Sequence, residues 1–558
     1  MKTEMIKKTI AAALCSILCG SAFGQNIDQT VNITNEFKAE AENVQKQDIP
    51  LAVPDSLTNF DYHFNYTVFD TPYRGSYEFS PYAVSLSPSS SEAEDVKFLL
   101  RAGAGYSFHP QLQAVWSPLR EGSVRLDVYQ DFHGYAGRYR SVSDKVDNHA
   151  LYTIKGAGYS GYDFSEKFGT GLRLLFKKAE IRAGIEYDGI FNDDSSVKSI
   201  CNSLTFNAGV HSIVPLAKGF RYDVGLHFRT FTDALSSVAY LEGTRKVSEN
   251  EFGIDGVVGP FLTGPVKLAV DFDFTGFSYR ASSAFDGAPF CWNVTPNTDV
   301  TLGPVRFRLG VRMSGADKFY LRPDVRLAVN LLNNTLELNA GFTGGAQAGS
   351  YAALKNDNHR FNPAWSAGVR HDVENFNVYL GARGSAIGHI QYSVRAGFAD
   401  VATKPFWGIV ENPSGIISPR LVFSACTMLY ADLNLDWKSE HVDAGAALKF
   451  RKMNSVAEYG AVDLSPVSCS LHALYKHNGR IFAGLTLDAA SSRAVRIPSA
   501  DLAVQGYCDL GIYGEYRFTR NVAFWLRGGN LFNEAVQRIP FIVEQGINFT
   551  AGIVLKLQ

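Results

Sequence analysis

Charged residues and long apolar runs are both scarce in this sequence of 558 residues. Asp, Glu, Lys and Arg make up 19% of the chain and its formal net charge is −2, whereas soluble domains carry roughly 25% charged residues. The sequence has no basic cluster interleaved with aromatics, which argues against a nucleic-acid-binding protein. After residue 24 no stretch reaches the roughly 18 consecutive apolar residues that indicate a membrane helix. If the chain resides in a membrane, it must therefore cross it with strands.

The common motifs of catalytic and metal sites are also missing. The seven cysteines show no CxxC pair, and the five that follow residue 24 are scattered, without the spacing of metal ligands. The sequence contains no GxSxG, no HExxH and no phosphate-binding glycine loop. The polar stretches NDDSS (192–196) and KNDNH (355–359) are typical of loops as much as of Ca²⁺ ligands. We therefore expect no enzyme activity, no metal and no cofactor, although a hydrolase site assembled only by the fold stays open as an alternative.

The first 24 residues have the pattern of a secretory signal peptide. Lys2, Lys7 and Lys8 precede an apolar run over 10–18, and small residues at 22 and 24 form a cleavage site. Residues 25–95, which follow, are irregular and rich in proline and aromatics. We expect this segment to be either a periplasmic extension under a barrel or a small plug inside it. In both cases it could contact other outer-membrane or periplasmic proteins.

Aromatic residues, at 13%, and the 50 glycines are by contrast abundant. From residue 96 to 558 the sequence repeats about ten residues of strict apolar and polar alternation followed by a turn, as in GFRYDVGLHFR (219–229) and VKLAVDFDFTG (266–276). This pattern is typical of a transmembrane β-barrel. A soluble β-sandwich also alternates, but here the apolar face is bulky and nearly unbroken while the other face carries full charges. The sequence predicts a large antiparallel all-β barrel of about 22 strands, with 20 to 24 plausible.

Connection lengths support the barrel. Short turns, such as those at 178–179, 303–304 and 519–520, alternate with longer pieces. The longer pieces include about 344–361, 397–424 and 532–545. Outer-membrane barrels have short periplasmic turns and longer extracellular loops, so we assign the two classes to those two sides, with membrane lipid around the wall between them.

Alternation also predicts which charged residues face the lumen. The set consists of Arg125, Asp127, Arg173, Arg182, Glu186, Asp188, Arg221, Asp223, Arg229, Lys267, Asp271, Asp273, Arg306, Arg308, Arg312, Arg326, Glu337 and Arg383. Rings of charge select solutes in pores, but charges of mixed sign can also neutralise one another and fill the interior. The cluster Arg306, Arg308 and Arg312 would favour anionic solutes if it is exposed to water, or would anchor the N-terminal segment if it is not.

Two stretches resemble a known group of proteins. GNLFN (529–533) followed by GINFTAGIVLKLQ (546–558) resembles the last hairpin of TonB-dependent outer-membrane receptors. VNITNEFKAEAENVQKQDIPLAVPDS (31–56) and FDYHFNY (60–66) resemble TonB-dependent receptor-like barrels of the Bacteroidota. The plug domain of full receptors is not recognisable in 25–95, so the resemblance implies a barrel without that plug.

The same resemblance implies a role for the last strand. In the family this strand is recognised by the barrel-assembly machinery, and here it carries Phe549, Leu555 and Leu557 on one face and ends at Gln558 instead of an aromatic residue. We therefore expect a channel or receptor for solute passage across the outer membrane. The alternative is a structural or assembly partner in a larger outer-membrane complex, with no transport of its own.

Overall fold

The computed structural model describes residues 97–119, 122–142, 154–193, 197–213, 220–237, 246–261, 266–281, 286–331, 335–361, 368–386, 390–411, 417–455, 465–497, 500–539 and 542–557. The predicted signal peptide, the segment 25–95 and Gln558 lie outside these residues. No helix in the described part of the chain is long and apolar enough to cross a membrane.

A single antiparallel sheet of 22 strands dominates the structure. Its strands are β1 (Phe98–Tyr106), β2 (Gln111–Leu119), β3 (Val124–Val142), β4 (Ile154–Leu175), β5 (Ala179–Asp193), β6 (Val197–Ser212), β7 (Arg221–Ser237), β8 (Lys246–Gly259), β9 (Val266–Ala281), β10 (Phe290–Leu302), β11 (Val305–Gly315), β12 (Phe319–Leu331), β13 (Leu336–Gln347), β14 (Asp372–Ala386), β15 (Ile390–Glu411), β16 (Ile417–Lys438), β17 (Val442–Ser455), β18 (Val467–His477), β19 (Ile481–Ala490), β20 (Tyr507–Arg517), β21 (Val522–Gly529) and β22 (Asn548–Leu557). Each strand pairs with its neighbours in the chain, which confirms the predicted barrel and its strand number.

The sheet closes where β1 pairs with β22. The register runs from Phe98 opposite Leu557 to Tyr106 opposite Phe549. The strands approach so closely here that a side chain at Gly105 would overlap the carbonyl oxygen of Phe549. Closure leaves no unpaired edge, which is a requirement for a sheet surrounded by lipid, and it excludes the open sandwich.

The two faces of the wall carry different side chains because successive residues of a strand point to opposite sides. On β7, Leu226 and Phe228 are 44% and 41% exposed on the outer face. His227 and Arg229, between and beside them, make polar contacts with Glu251 of β8. The same contrast recurs around the sheet, with outward residues such as Leu309, Leu380 and Leu485 exposed. The wall thus has an apolar outer face and a polar inner one.

The two ends of the barrel differ in their connections. One end, the short-turn end, holds the turns 176–178, 303–304 and 478–480. The other, the long-loop end, holds the connections 348–371, 491–506 and 530–547. This second end contains the helix α1 (Tyr351–Asp357), the small hairpin Arg493–Ile497 with Ala500–Val504, and a parallel bridge between 286–287 and 368–369.

The hairpins β3–β4 and β15–β16 extend beyond the rest of the wall at the long-loop end. Strands β4, β15 and β16 each have 22 residues, whereas about 9–11 residues suffice to cross a bilayer. The prediction of a long loop at 397–424 was therefore wrong. Most of that stretch belongs to β15 and β16, which continue their pairing above the apolar band from Lys404 opposite Ser424 to Glu411 opposite Ile417.

Candidate functional site at the long-loop end

The connection between β13 and β14 folds into the mouth of the barrel. We call its described residues, 348–361 and 368–371, the latch loop. Ser350 begins α1 because its hydroxyl accepts a hydrogen bond from the Ala353 amide at 3.0 Å, as a helix N-cap does. The two ends of the loop are joined by His371, whose Nδ1 accepts from the Gly349 amide at 3.1 Å.

A buried carboxylate on β7 holds α1 from below. Asp233 accepts hydrogen bonds from the Tyr351 hydroxyl at 2.8 Å and from the Ser199 hydroxyl at 2.8 Å. The Asp233 carboxylate also forms an ion pair with Lys355, with 3.3 Å between Nζ and Oδ2. Asp233, Tyr351 and Lys355 are all fully buried. Buried charges persist only when they are paired and hydrogen-bonded, and here the Lys355 ammonium also donates to the Phe361 carbonyl at 2.7 Å.

A second buried carboxylate, on β8, binds the first turn of α1. Glu249 accepts from the backbone amides of Tyr351, at 2.5 Å, and Ala352, at 3.3 Å. Arg229 lies 3.6 Å from Glu249 and donates to the Ser350 hydroxyl at 2.9 Å. The amides at a helix start have no partner within the helix, so Glu249 satisfies groups that would otherwise be buried without one.

Aromatic side chains pack around the contact between α1 and the wall. The Tyr351 ring lies 5.8 Å from Phe231 and 5.3 Å from Phe361, and Phe361 lies 5.3 Å from Trp407 of the tall β15–β16 hairpin. Cys201, 1% exposed, belongs to the same buried cluster. The latch loop is therefore packed between the wall at β5–β8 and the hairpin β15–β16.

The end of the loop reaches still further around the barrel. His359 Nδ1 lies 2.8 Å from Asp163 of β4, and the Arg360 guanidinium lies 4.2 Å above the Tyr139 ring of β3. Strands β3 and β4 are nine or more places away from β13 in the closed sheet. The latch loop thus spans the lumen.

The connection 530–547 also packs inward at this end. Arg538 pairs with Asp509 at 3.2 Å and with Glu544 at 2.8 Å, and Arg493 of the small hairpin donates to the Arg538 carbonyl at 2.8 Å. Burial raises the pKa of Glu544 to about 7, against the opposing effect of Arg538. Burial likewise raises the pKa of Asp357, at the end of α1, to about 6.

The three arginines singled out from the sequence lie on one inner face, but each has an acidic neighbour. Arg308 pairs with Asp271, and Arg312 is buried against Asp324 at 3.0 Å. Arg306 stays more than half exposed and contacts Glu337 at 3.3 Å. Each arginine therefore has a carboxylate of the wall beside it, and the three do not form a cluster of free cations.

The other predicted lumen residues lie on several parts of the wall. Arg229 pairs with Glu251 and belongs to the latch site. Asp223 lies 3.0 Å from His211, Asp273 accepts from Thr275 at 3.3 Å, and Lys267 stands opposite Asp299 in register. Arg221 begins β7 at the short-turn end.

The residues predicted for the assembly strand lie on the outer side of β22. Phe549 is 40% and Leu557 is 53% exposed, while Leu555 is partly buried on the same face. Gln558 lies outside the described residues.

Four residues of the latch site were not identified from the sequence: Asp233, Glu249, Tyr351 and Lys355. Lys355 begins the stretch KNDNH, which the sequence suggested to be an ordinary loop. The available signal was the N-cap serine followed by the helix-forming run YAALK (351–355). Within the described ranges, no group of three or more His, Cys, Asp or Glu side chains is placed to hold a metal ion.

Comparison with known proteins finds similarity in structure alone. A scan of family models finds no match, and no curated protein matches the sequence. Among solved structures, the ferric enterobactin receptor PfeA of Pseudomonas aeruginosa aligns with a TM-score of 0.57 at 12% identity, over 82% of this chain and 80% of its own. The siderophore receptor PirA of Acinetobacter baumannii gives 0.58 at 10% identity, over 83% and 80%. The copper transporter OprC gives 0.58 at 11% identity, over 83% and 80%. The fold is thus that of outer-membrane receptor and transporter barrels, and the names of these proteins describe receptors and a transporter, not enzymes.

Proposed function

We propose that this protein is an outer-membrane, TonB-dependent receptor-like barrel that takes part in solute passage, and that the latch loop closes its outer mouth. The observation that carries the proposal is the docking of the latch loop across the lumen on buried Asp233 and Glu249. A wall with an apolar outer face encloses a polar lumen, and a loop that crosses that lumen controls what enters it. The structural relatives support a receptor or channel role through their shared fold.

The same proposal assigns an orientation and a location. The long-loop end faces the exterior and the short-turn end the periplasm, which is the arrangement of known outer-membrane barrels. Residues 1–24 direct export as a signal peptide, and 25–95 act as a periplasmic extension or small plug in a barrel of the Bacteroidota type. Phe549, Leu555 and Leu557, with Gln558, form the strand that the assembly machinery recognises. No catalytic role is part of the proposal.

Solute efflux from liposomes tests the proposed passage. We compare the full chain with the double variant Tyr351→Ala, Phe361→Ala, which removes two fully buried rings from the latch contact. The matched control, Phe261→Ala with Phe518→Ala, removes two rings that are 52% and 66% exposed. We expect faster efflux of a small solute only from the first double variant. If the latch variant releases no more solute than the control, solute passage through this lumen is refuted.

The tight packing of the mouth also favours a second candidate, a barrel that serves as a structural partner in a larger complex. A closed lumen is sufficient for that role, so this candidate predicts no solute efflux from either double variant. Native gels after gentle extraction discriminate the two. A fixed partner that co-migrates in stoichiometric amount, together with absent flux, supports the structural role, whereas a lone barrel with flux supports passage.

A further inference from the structure

Strand β3 continues past its neighbour β2 at the long-loop end. The ladder between the two strands ends at His133, and one further bridge joins Phe108 to Ala136. β3 then runs on to Val142, and in the part of the chain that the structure describes no strand pairs with it on that side. We call residues 137–142 the free edge of β3.

The backbone of the free edge offers hydrogen-bonding groups to a further strand. Ala136 donates to the Phe108 carbonyl at 2.8 Å and accepts from the Phe108 amide at 3.2 Å. Every second residue of a strand directs its N–H and C=O to the same side, so the next two are Arg138 and Arg140. The Arg138 carbonyl accepts a long bond from the Tyr135 hydroxyl, at 3.4 Å. No described residue bonds the two amides or the Arg140 carbonyl, and such an edge is a template for another strand.

The latch loop holds this part of the hairpin in place from the inner side. The Arg360 guanidinium lies 4.2 Å above the Tyr139 ring, and Tyr139 meets Tyr135 edge-on with 5.2 Å between ring centroids. On β4, Asp163 lies 2.8 Å from His359 of the loop. The free edge is thus ordered before a partner arrives, and a surface that is already ordered loses less entropy on binding.

The side chains of the free edge indicate which partner fits it. Arg138 and Arg140 share the outer face of the hairpin with the stacked rings of Phe132, Phe164 and Tyr162, and lie beyond those rings. Arg138 is exposed, and neither arginine has an ion pair among the described residues. A second copy of this edge would place arginine against arginine. Like charges directly opposite each other in a sheet are destabilising, whereas opposite charges stabilise the pairing.

We propose that the free edge of β3 pairs with an extended segment of a partner protein that carries acidic side chains at alternate positions. In strand addition of this kind the main-chain hydrogen bonds provide affinity and the side chains provide specificity. The added strand lies beside Arg138 and Arg140, and its carboxylates face the two guanidiniums. The inference is independent of solute passage, because it concerns the hairpin and not the lumen.

Fluorescence anisotropy with a labelled peptide tests the pairing on the full chain in detergent. The probe is the amidated heptapeptide Thr-Val-Glu-Val-Glu-Val-Thr with a fluorophore at its amino end, and its two glutamates share one face of a strand. We expect saturable binding, which becomes about tenfold or more weaker when both glutamates are replaced by lysine. N-methylation of the two glutamates should abolish binding because their amides face β3. N-methylation of the first two valines, whose amides face away, should leave the affinity within about twofold.

A charge reversal on the protein completes the test. The double variant Arg138→Glu, Arg140→Glu should bind the lysine peptide and lose the glutamate peptide. The matched control Arg280→Glu changes an exposed outward-facing arginine of β9 and should bind like the wild type. If the double variant does not fold, as judged by its heat-modifiable band, the two methylated peptides on the wild type still decide.

Three results would overturn the proposal. The first is no saturable binding of the glutamate peptide by the wild type. The second is equal binding of the two methylated peptides, which would mean that charge attracts the peptide without strand pairing. The third is a dimer of the chain alone that the glutamate peptide dissociates, since a second copy would then occupy the edge.

Discussion

Replacing Asp233 by alanine should release the latch loop. The carboxylate of Asp233 is the common acceptor for Tyr351, Ser199 and the Lys355 ammonium, and it is fully buried. In the Asp233→Ala variant, the Phe361 carbonyl is the one polar partner that Lys355 keeps among the described residues. The ammonium must then stay buried without its counter-charge or carry α1 out to water.

The magnitude follows from the burial of the pair. Breaking a buried ion pair by removing one partner costs about 3–5 kcal/mol, and each hydroxyl left without its acceptor adds about 1–3 kcal/mol. Undocking the loop relieves all of these penalties. We therefore expect the docked state to lose about 3 kcal/mol or more relative to the open one, which raises the open fraction roughly a hundredfold.

Cys201 provides a built-in reporter of this opening. Its thiol is 1% exposed and packs in the same cluster as Tyr351. Labelling by a maleimide, followed site by site with mass spectrometry, should become about a hundredfold faster in Asp233→Ala. The control Asp255→Ala removes an exposed carboxylate from the adjacent strand β8 and should not change the rate.

A double variant separates lost charge pairing from lost packing. Replacing both members of a buried pair by apolar residues of similar volume is often neutral, so Asp233→Leu with Lys355→Met should label Cys201 more slowly than Asp233→Ala. If Asp233→Ala labels Cys201 at the wild-type rate, the buried pair does not hold the loop and the reasoning is wrong.

Two further predictions concern loop 530–547 and the barrel seam. Burial raises the pKa of Glu544 from its ordinary 4.5 to about 7, so the docked form of loop 530–547 favours the protonated carboxyl. This contribution to docking should be complete below pH 4.5. It should be lost, at a cost of about 3 kcal/mol, as the pH rises through 7. A spin label at exposed position 532 should gain mobility between pH 5 and pH 8, and Glu544→Gln should abolish the change; equal mobility at both pH values would count against it. At the seam, Gly105→Ala should reduce the heat-modifiable folded band on gels, because the methyl group would overlap the Phe549 carbonyl, whereas Gly514→Ala, with nothing within 4 Å, should fold normally. Normal folding of both variants would show that the seam tolerates a side chain.

The wall of the barrel could be predicted from the sequence because successive residues of a strand face its apolar and its polar side in turn. In β7, Leu226 and Phe228 on the exposed apolar face alternate with His227 and Arg229 on the polar face. Beyond Lys404 the hairpin of β15 and β16 extends past the apolar band, where this constraint ends, so the alternation predicts a loop there instead of two long strands.

The latch site could not be predicted from the sequence because its contacts join residues that are far apart in the chain. Asp233 and Tyr351 are 118 residues apart, and Glu249 and Ala352 are 103 apart. No local pattern joins such residues, and each of them alone is typical of an ordinary strand or loop. Only the path of the chain across the lumen brings them together.

The closing contact of the sheet has a kinetic consequence. Each of the other pairings in the barrel joins strands that follow one another in the chain, so each can form as a local hairpin, whereas β1 and β22 join the two ends of the described sheet. Contacts between distant residues are slow to form because the entropic cost of closing the chain between them must be overcome first. We therefore expect the seam to be the last pairing completed, and changes at Gly105 to slow ring closure while the hairpins that precede it still assemble.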